Sequence, residues 1–141
     1  MRVPLIVVLA GAALAGCVSS SAPEPSYVKI ETAATRYEAG DTVIVTLVND
    51  GTETIWYCRC RSKLQALRDG GWIDAGNAGD PCINAAAGLA AGETVSWKIG
   101  GIPKDAQAGM YRYLLRDLWA SDGSELPETW RGSTAFLVGS P

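Results

Sequence analysis

The sequence predicts an all-β domain, a two-sheet antiparallel immunoglobulin-like sandwich of about seven short strands. Three observations carry that expectation. Apolar and polar residues alternate in repeated short runs, as in Val43-Ile44-Val45-Thr46-Leu47 and Val95-Ser96-Trp97-Lys98-Ile99. Turn-forming clusters separate the runs, among them Asn49-Asp50-Gly51 and Asp69-Gly70-Gly71. No strand–helix–strand alternation, repeat or heptad runs through the 141 residues.

Taken in order, residues 27–32 form the first expected strand, at a sheet edge, with Val28 and Ile30 opposite Lys29 and Glu31. Residues 35–39 lead into the turn at Gly40-Asp41. Val43, Val45 and Leu47 then share an inward face, with Thr42 and Thr46 on the other. Asn49-Asp50-Gly51 is the strongest reversal signal, because these residues accept the positive φ of tight turns. Residues 52–60 follow as the antiparallel partner of the strand before. Residues 62–68 and 72–75 make a hairpin across Asp69-Gly70-Gly71. Residues 76–92 read as a long connection rich in Gly, Ala and Asn, with one helical turn at 85–89. Residues 93–99 resume the alternation, Val95, Trp97 and Ile99 inward. After a loop over 100–108, residues 109–117 are the last long strand. There Tyr111, Tyr113 and Leu115 face one way, Arg112 and Arg116 the other. A long loop over 118–132 and a terminal strand over 133–138 complete the chain.

The N-terminus reads as an address. Met1-Arg2 is positive, and residues 3–13 are apolar but too few to span a bilayer comfortably, which suits a secretory leader. Leu14-Ala15-Gly16-Cys17 resembles the bacterial lipobox. The resemblance implies a lipoprotein signal peptide over 1–16 and a mature protein that begins at Cys17, carrying a diacylglycerol thioether and an amide-linked acyl chain such as palmitate. At about 0.8 kcal/mol per buried CH₂, two or three such chains anchor a protein durably. Val18 stands where an Asp would favour retention in the inner membrane, which leans the address towards the outer membrane, facing the periplasm. Residues 17–26 hold the lipidated cysteine and a Ser- and Pro-rich tether that cannot pack, and residues 27–141 the sandwich.

Composition limits the chemistry. There are 12 basic and 15 acidic residues and no histidine. A weakly acidic body does not suit nucleic acid, whose phosphates require a basic face. The absence of histidine removes the commonest general base and zinc ligand, so no catalytic residue, metal or cofactor is expected. Besides Cys17 the chain holds Cys58, Cys60 and Cys82, which in an oxidising compartment favours a disulfide. Cys58 and Cys60 lie two apart on a strand, hence on one face, and either could reach Cys82. A rival use of these three thiols is a thiolate site for Cu(I) or zinc.

The order Gly40-Asp41, Val43-x-Val45-Thr46-Leu47-x-Asn49, Cys60 with Leu64 and Trp72, Cys82, Leu89-x-x-Gly92-Glu93 and Gly109-x-Tyr111-Arg112 resembles bacterial immunoglobulin-like domains related to the intracellular proteinase inhibitor type of sandwich. The resemblance covers residues 36–117. It implies that Cys60 pairs with Cys82, leaving Cys58 as a free thiol, and it makes a periplasmic proteinase inhibitor the rival function. Gly109-x-Tyr111-Arg112 also resembles a tyrosine corner, and Tyr113 stands where antibody domains carry their second cysteine.

Five tryptophans remain to be placed. Trp97 is expected in the core, with Trp72 and Trp56 beside the disulfide. Trp119 and Trp130 bracket the 118–132 loop, which also carries Asp122, Glu125 and Glu128, and this is the candidate binding loop. Its acids match no EF-hand spacing. Its two indoles either stack on a sugar or grip a protein, or else fold back as the loop's own small core. The expectation is a membrane-anchored, non-enzymatic binding or assembly module, with an envelope protein or a polysaccharide as partner.

Overall fold

The computed structural model describes residues 26–79 and 85–139. The expected signal peptide at 1–16, the lipidation site Cys17 and the disulfide partner Cys82 lie outside the described residues. Those described form β1 (Val28–Thr32), β2 (Arg36–Tyr37), β3 (Ile44–Asn49), β4 (Ile55–Cys58), β5 (Lys63–Arg68), β6 (Gly71–Asn77), β7 (Ala87–Leu89), β8 (Thr94–Lys98), β9 (Gly109–Leu114), β10 (Asp117–Trp119), the one-turn helix α1 (Glu128–Arg131) and β11 (Phe136–Val138). They hydrogen-bond in three sheets, β1-β3-β8, β10-β4-β7 and β2-β11-β9-β5-β6. The all-β sandwich is therefore present, divided more finely than expected.

The alternation places side chains as read. Val43, Val45 and Leu47 are fully buried, and Val28, Ile30, Trp97, Ile99, Tyr111, Tyr113 and Leu115 join them in one core drawn from all three sheets. Trp97 sits at the centre. It stacks on Tyr57 of β4 at 5.8 Å and meets Tyr113 of β9 edge-on at 6.1 Å, so one ring from each sheet contributes. Such pairs add about 0.5–1.5 kcal/mol each beyond their area burial. Tyr113 is wholly buried, and its hydroxyl hydrogen-bonds Ser62 Oγ at 2.6 Å. The tyrosine corner is formed: Tyr111 Oη donates to the carbonyl of Gln107, four residues upstream, at 2.7 Å. The β5–β6 hairpin turns through Asp69 (φ 50°) and Gly70 (φ 80°), both left-handed, as a two-residue loop between twisted strands requires.

Three expectations are corrected. Asn49-Asp50-Gly51 does not close a hairpin, because β3 pairs with β1 and β8 while β4 pairs with β10 and β7. The cause is Asn49 itself. It is fully buried, and its Nδ2 donates to the carbonyls of Glu53, Leu89 and Ala90 at 2.8, 3.0 and 3.1 Å, which carries the chain across to the next sheet. Residues 85–89 hold no helical turn; Ala87–Leu89 is a strand whose backbone is satisfied by Ile55–Tyr57. The sheets are not wholly antiparallel either, since β11 pairs with β2 in parallel, Leu137 opposite Arg36 and Val138 opposite Tyr37.

Candidate functional site

The expected loop over 118–132 is largely structured. Leu118 is fully buried on β10, and Leu126 is buried beyond it. Between them the chain makes a tight return: Ala120 N donates to Ser124 O at 2.8 Å, Leu126 N to Leu118 O at 3.0 Å, and Trp119 bridges Glu125. Gly123, at φ 83°, supplies the left-handed residue of that return. Helix α1 then returns the chain to the body, with Leu115 N donating to Arg131 O at 2.9 Å.

The acids of the loop do not converge. Asp122 is exposed and accepts from Ser124 N at 2.9 Å and Ser124 Oγ at 2.6 Å, which holds its carboxyl below the usual carboxylate range. Glu125 pairs with Arg131. Glu128 stands 4.0 Å from Arg112. Each carboxylate serves a local turn or ion pair. Among the described residues no group of three or more Cys, Asp or Glu could hold a metal ion.

The two indoles part company. Trp130, on α1, is half-buried and meets Tyr27 edge-on at 5.1 Å, packing against the core. Trp119, on β10, lies directly opposite Trp56 of β4. Trp56 was expected beside the disulfide, but it is 44% exposed. Its neighbours Ile55 and Tyr57 point inward, so strand parity turns Trp56 out. On its other side Trp56 pairs with Gly88 of β7. A Cβ at residue 88 would meet Cζ3 and Cη2 of the indole at 3.4 and 3.5 Å, so the edge of the six-membered ring reaches the glycine at ordinary contact distance. Gly88, Trp56 and Trp119 thus form one row on the outer face of the β10-β4-β7 sheet.

One step along the strands, Cys58 faces Asp117. Cys58 is buried with a free thiol, its Sγ 3.0 Å from that of Cys60. Asp117 is buried and gripped by the exposed Arg61, through Nε at 3.0 Å to Oδ2 and through Nη2 to Oδ1. That fork raises the Arg61 guanidinium above its ordinary value, chiefly through the hydrogen bond to Asp117. A hollow of about 350 Å³ lies here, lined by Cys58, Arg61, Ala86, Asp117 and Trp119. Through Arg61 it adjoins a polar hollow of about 240 Å³ lined by Gln65, Leu114, Arg116, Glu125, Glu128 and Arg131.

Arg112 lies over the Trp72 ring at 4.6 Å, with Arg112 Nε donating to Gln65 Oε1 at 2.8 Å and Gln65 Nε2 to Asp74 Oδ1 at 3.2 Å; the expected place of Trp72 beside the disulfide involves Cys82, outside the described residues. Burial pushes the Arg112 guanidinium below its usual value, and the Glu128 charge partly opposes that. Trp56, Gly88 and Arg61 were not singled out from the sequence as site residues. The signal for Trp56 was its place between two inward-facing residues; the other two are brought in by cross-strand register and long-range pairing.

No family model and no curated protein matches the chain. Among solved structures it is similar to the Pseudomonas fluorescens alkylpurine DNA glycosylase AlkC bound to DNA containing an abasic site analog, at TM-score 0.38 and 13% identity over 82% of this chain. It spans 31% of that chain, about a third of its length. It is also similar to the ASH / PapD-like domain of human CEP192 (PapD-like domain 7), at TM-score 0.35 and 17% identity, over 96% of this chain and 94% of that one. At these scores and identities neither likeness speaks to activity.

Proposed function

We propose that the protein is a lipid-anchored, non-enzymatic module of the bacterial cell envelope that binds a partner through the outer face of the β10-β4-β7 sheet. The carrying observation is the cross-strand opposition of Trp56, 44% exposed, and the half-buried Trp119 on the outer face of the sheet, where exposed apolar area marks a site for a partner. The anchor rests on Leu14-Ala15-Gly16-Cys17 and the apolar run before it. Non-enzymatic action accords with a chain lacking histidine and with loop acids engaged in their own turns and pairs.

The body is held by a bond from Cys60 to Cys82. In support, Cys58 is the free thiol and Cys60 is not one. Gly79 also leads the chain towards Cys82 with its backbone pressed against Cys60, where a Cβ would fall 2.1 Å from the Cys60 carbonyl oxygen. Closing the loop of about 22 residues contributes roughly 3 kcal/mol in the chain-entropy model.

Two measurements test the proposal. Membrane fractionation with intact mass should show wild type acylated and in the outer-membrane fraction, and Cys17→Ser released or unprocessed; a normally processed, membrane-bound mutant rejects the anchor. Photo-crosslinking in intact cells from positions 56 and 119, with exposed position 73 on β6 as control, should give adducts from the first two only. Equal labelling from all three positions rejects the face.

A further inference from the structure

We infer that the Trp56–Trp119 face is a platform for a chain of β-linked pyranose sugars; this deepens the reading of the protein as a binding module and rests on it. The face matches such a ligand in three respects.

The first is shape. Neighbouring strands lie about 4.8 Å apart, so the directly opposed Trp56 of β4 and Trp119 of β10 put two large apolar side chains next to each other on one face. Gly88 leaves room beside the Trp56 ring, which a branched side chain, reaching beyond a Cβ already in contact with the indole, would crowd. A β-linked pyranose carries its hydroxyls around the rim and its C–H bonds on its faces, so it meets an aromatic surface broadside.

The second is the chemistry beside the indoles. Sugar hydroxyls both donate and accept, so a sugar site wants donors and acceptors together. Arg61 and Asp117 stand next to the indoles, and Gln65, Glu125 and Arg131 line the adjoining hollow. The third is charge. Asp117 answers Arg61 and Glu125 answers Arg131, so the region offers many polar groups with little net field. That suits a neutral hydroxylated ligand better than a phosphate or a strongly charged peptide.

The test uses the full chain, purified in a zwitterionic detergent free of sugar, and titrates cellotetraose and N-acetylchitotetraose by calorimetry and by tryptophan emission. Maltotetraose, with α-linkages, is the control. The expected result is saturable binding of at least one β-linked tetramer, with a shift in emission, and weaker binding of the α-linked one. Trp56→Ala and Trp119→Ala should each weaken binding about tenfold, the value of one aromatic stacking contact. Gly88→Val keeps both indoles and suits a strand, yet crowds the Trp56 ring, and should weaken binding to a similar degree. Trp130→Ala should leave affinity unchanged, since Trp130 faces Tyr27. No saturable response from folded wild type, or undiminished affinity in the Trp56 and Trp119 variants, overturns the inference. If the sugars fail while positions 56 and 119 still crosslink in cells, the partner is a protein and the module reading stands. If both fail, both fall.

Discussion

Removing the Tyr113–Ser62 hydrogen bond tests what two fully buried hydroxyls contribute where β9 meets the start of its neighbour β5. Tyr113 is 0% and Ser62 1% exposed, and their oxygens are 2.6 Å apart. Tyr113→Phe leaves the Ser62 hydroxyl buried without this donor, and Ser62→Ala takes one hydrogen bond from the buried Tyr113 hydroxyl. Stranding a buried hydroxyl costs about 1–3 kcal/mol, whereas replacing both partners by apolar groups can be nearly neutral. Each single variant should therefore lose about 2 kcal/mol, and the double variant only about 1 kcal/mol or less in total, where additivity would give about 4. With a urea m-value of about 1.5 kcal/mol/M, each single change moves the midpoint by about 1.3 M. Urea unfolding followed by tryptophan emission and far-ultraviolet dichroism measures all four proteins. A double variant equal to the sum of the singles within about 0.5 kcal/mol would show that the hydroxyls act independently, and would falsify the reasoning.

Further outcomes follow from single contacts. Gly79→Ala should destabilise by about 3 kcal/mol or fail to fold, because the added Cβ meets the Cys60 backbone at 2.1 and 2.6 Å and neither atom belongs to a flexible tip; near-normal urea stability would show that this approach is not held in solution. Trp130→Ala should lose about 3 kcal/mol by emptying the space against Tyr27 and the core. Trp56→Ala should lose about 1 kcal/mol or less, since water refills an exposed site, and equal losses would contradict their opposite placement. Asp122 is stabilised as its carboxylate by Ser124, so its folded pKa lies below the unfolded value. Its contribution is present above the unfolded value and lost as pH falls through the lower folded one. Carboxyl NMR titration should show the depressed midpoint, rising in Ser124→Ala; an unchanged midpoint excludes the Ser124 hydroxyl as its cause.

The strands were legible because period-two alternation is a local signal, and a buried face tolerates no other register. Val43, Val45, Leu47 and Trp97 fell where the pattern put them. Partnership was less legible, because distant residues decide it. Asn49-Asp50-Gly51 has the composition of a hairpin, but Asn49 bonds the carbonyls of Leu89 and Ala90, forty and forty-one residues away. The parallel pairing of β2 with β11 likewise joins the two ends of the described fold. Ala87-Gly88-Leu89 lacks β-branched residues altogether, and its strand form comes from the free edge that β4 offers.

The site shows the same division one level up. Trp119 and Trp130 are matched in composition and bracket one segment, yet they end on opposite sides of the energetics. Leu118 is drawn fully into the core, and on a strand that puts the next residue on the outer face, so Trp119 stands half-buried there opposite Trp56. Pro127 opens a helical turn, Trp130 N bonds the Pro127 carbonyl at 2.9 Å, and the turn carries Trp130 back against Tyr27. Parity at Leu118, set by what the core will accept, thus puts Trp119 on the outer face of its sheet while Trp130 packs against Tyr27. One residue inserted between Leu118 and Trp119 would reverse Trp119's face while leaving Trp130 on its helix. On the proposed sugar-binding reading, such an insertion should abolish tetramer binding with only the modest loss of stability expected at a sheet edge, and retained affinity would count against that reading.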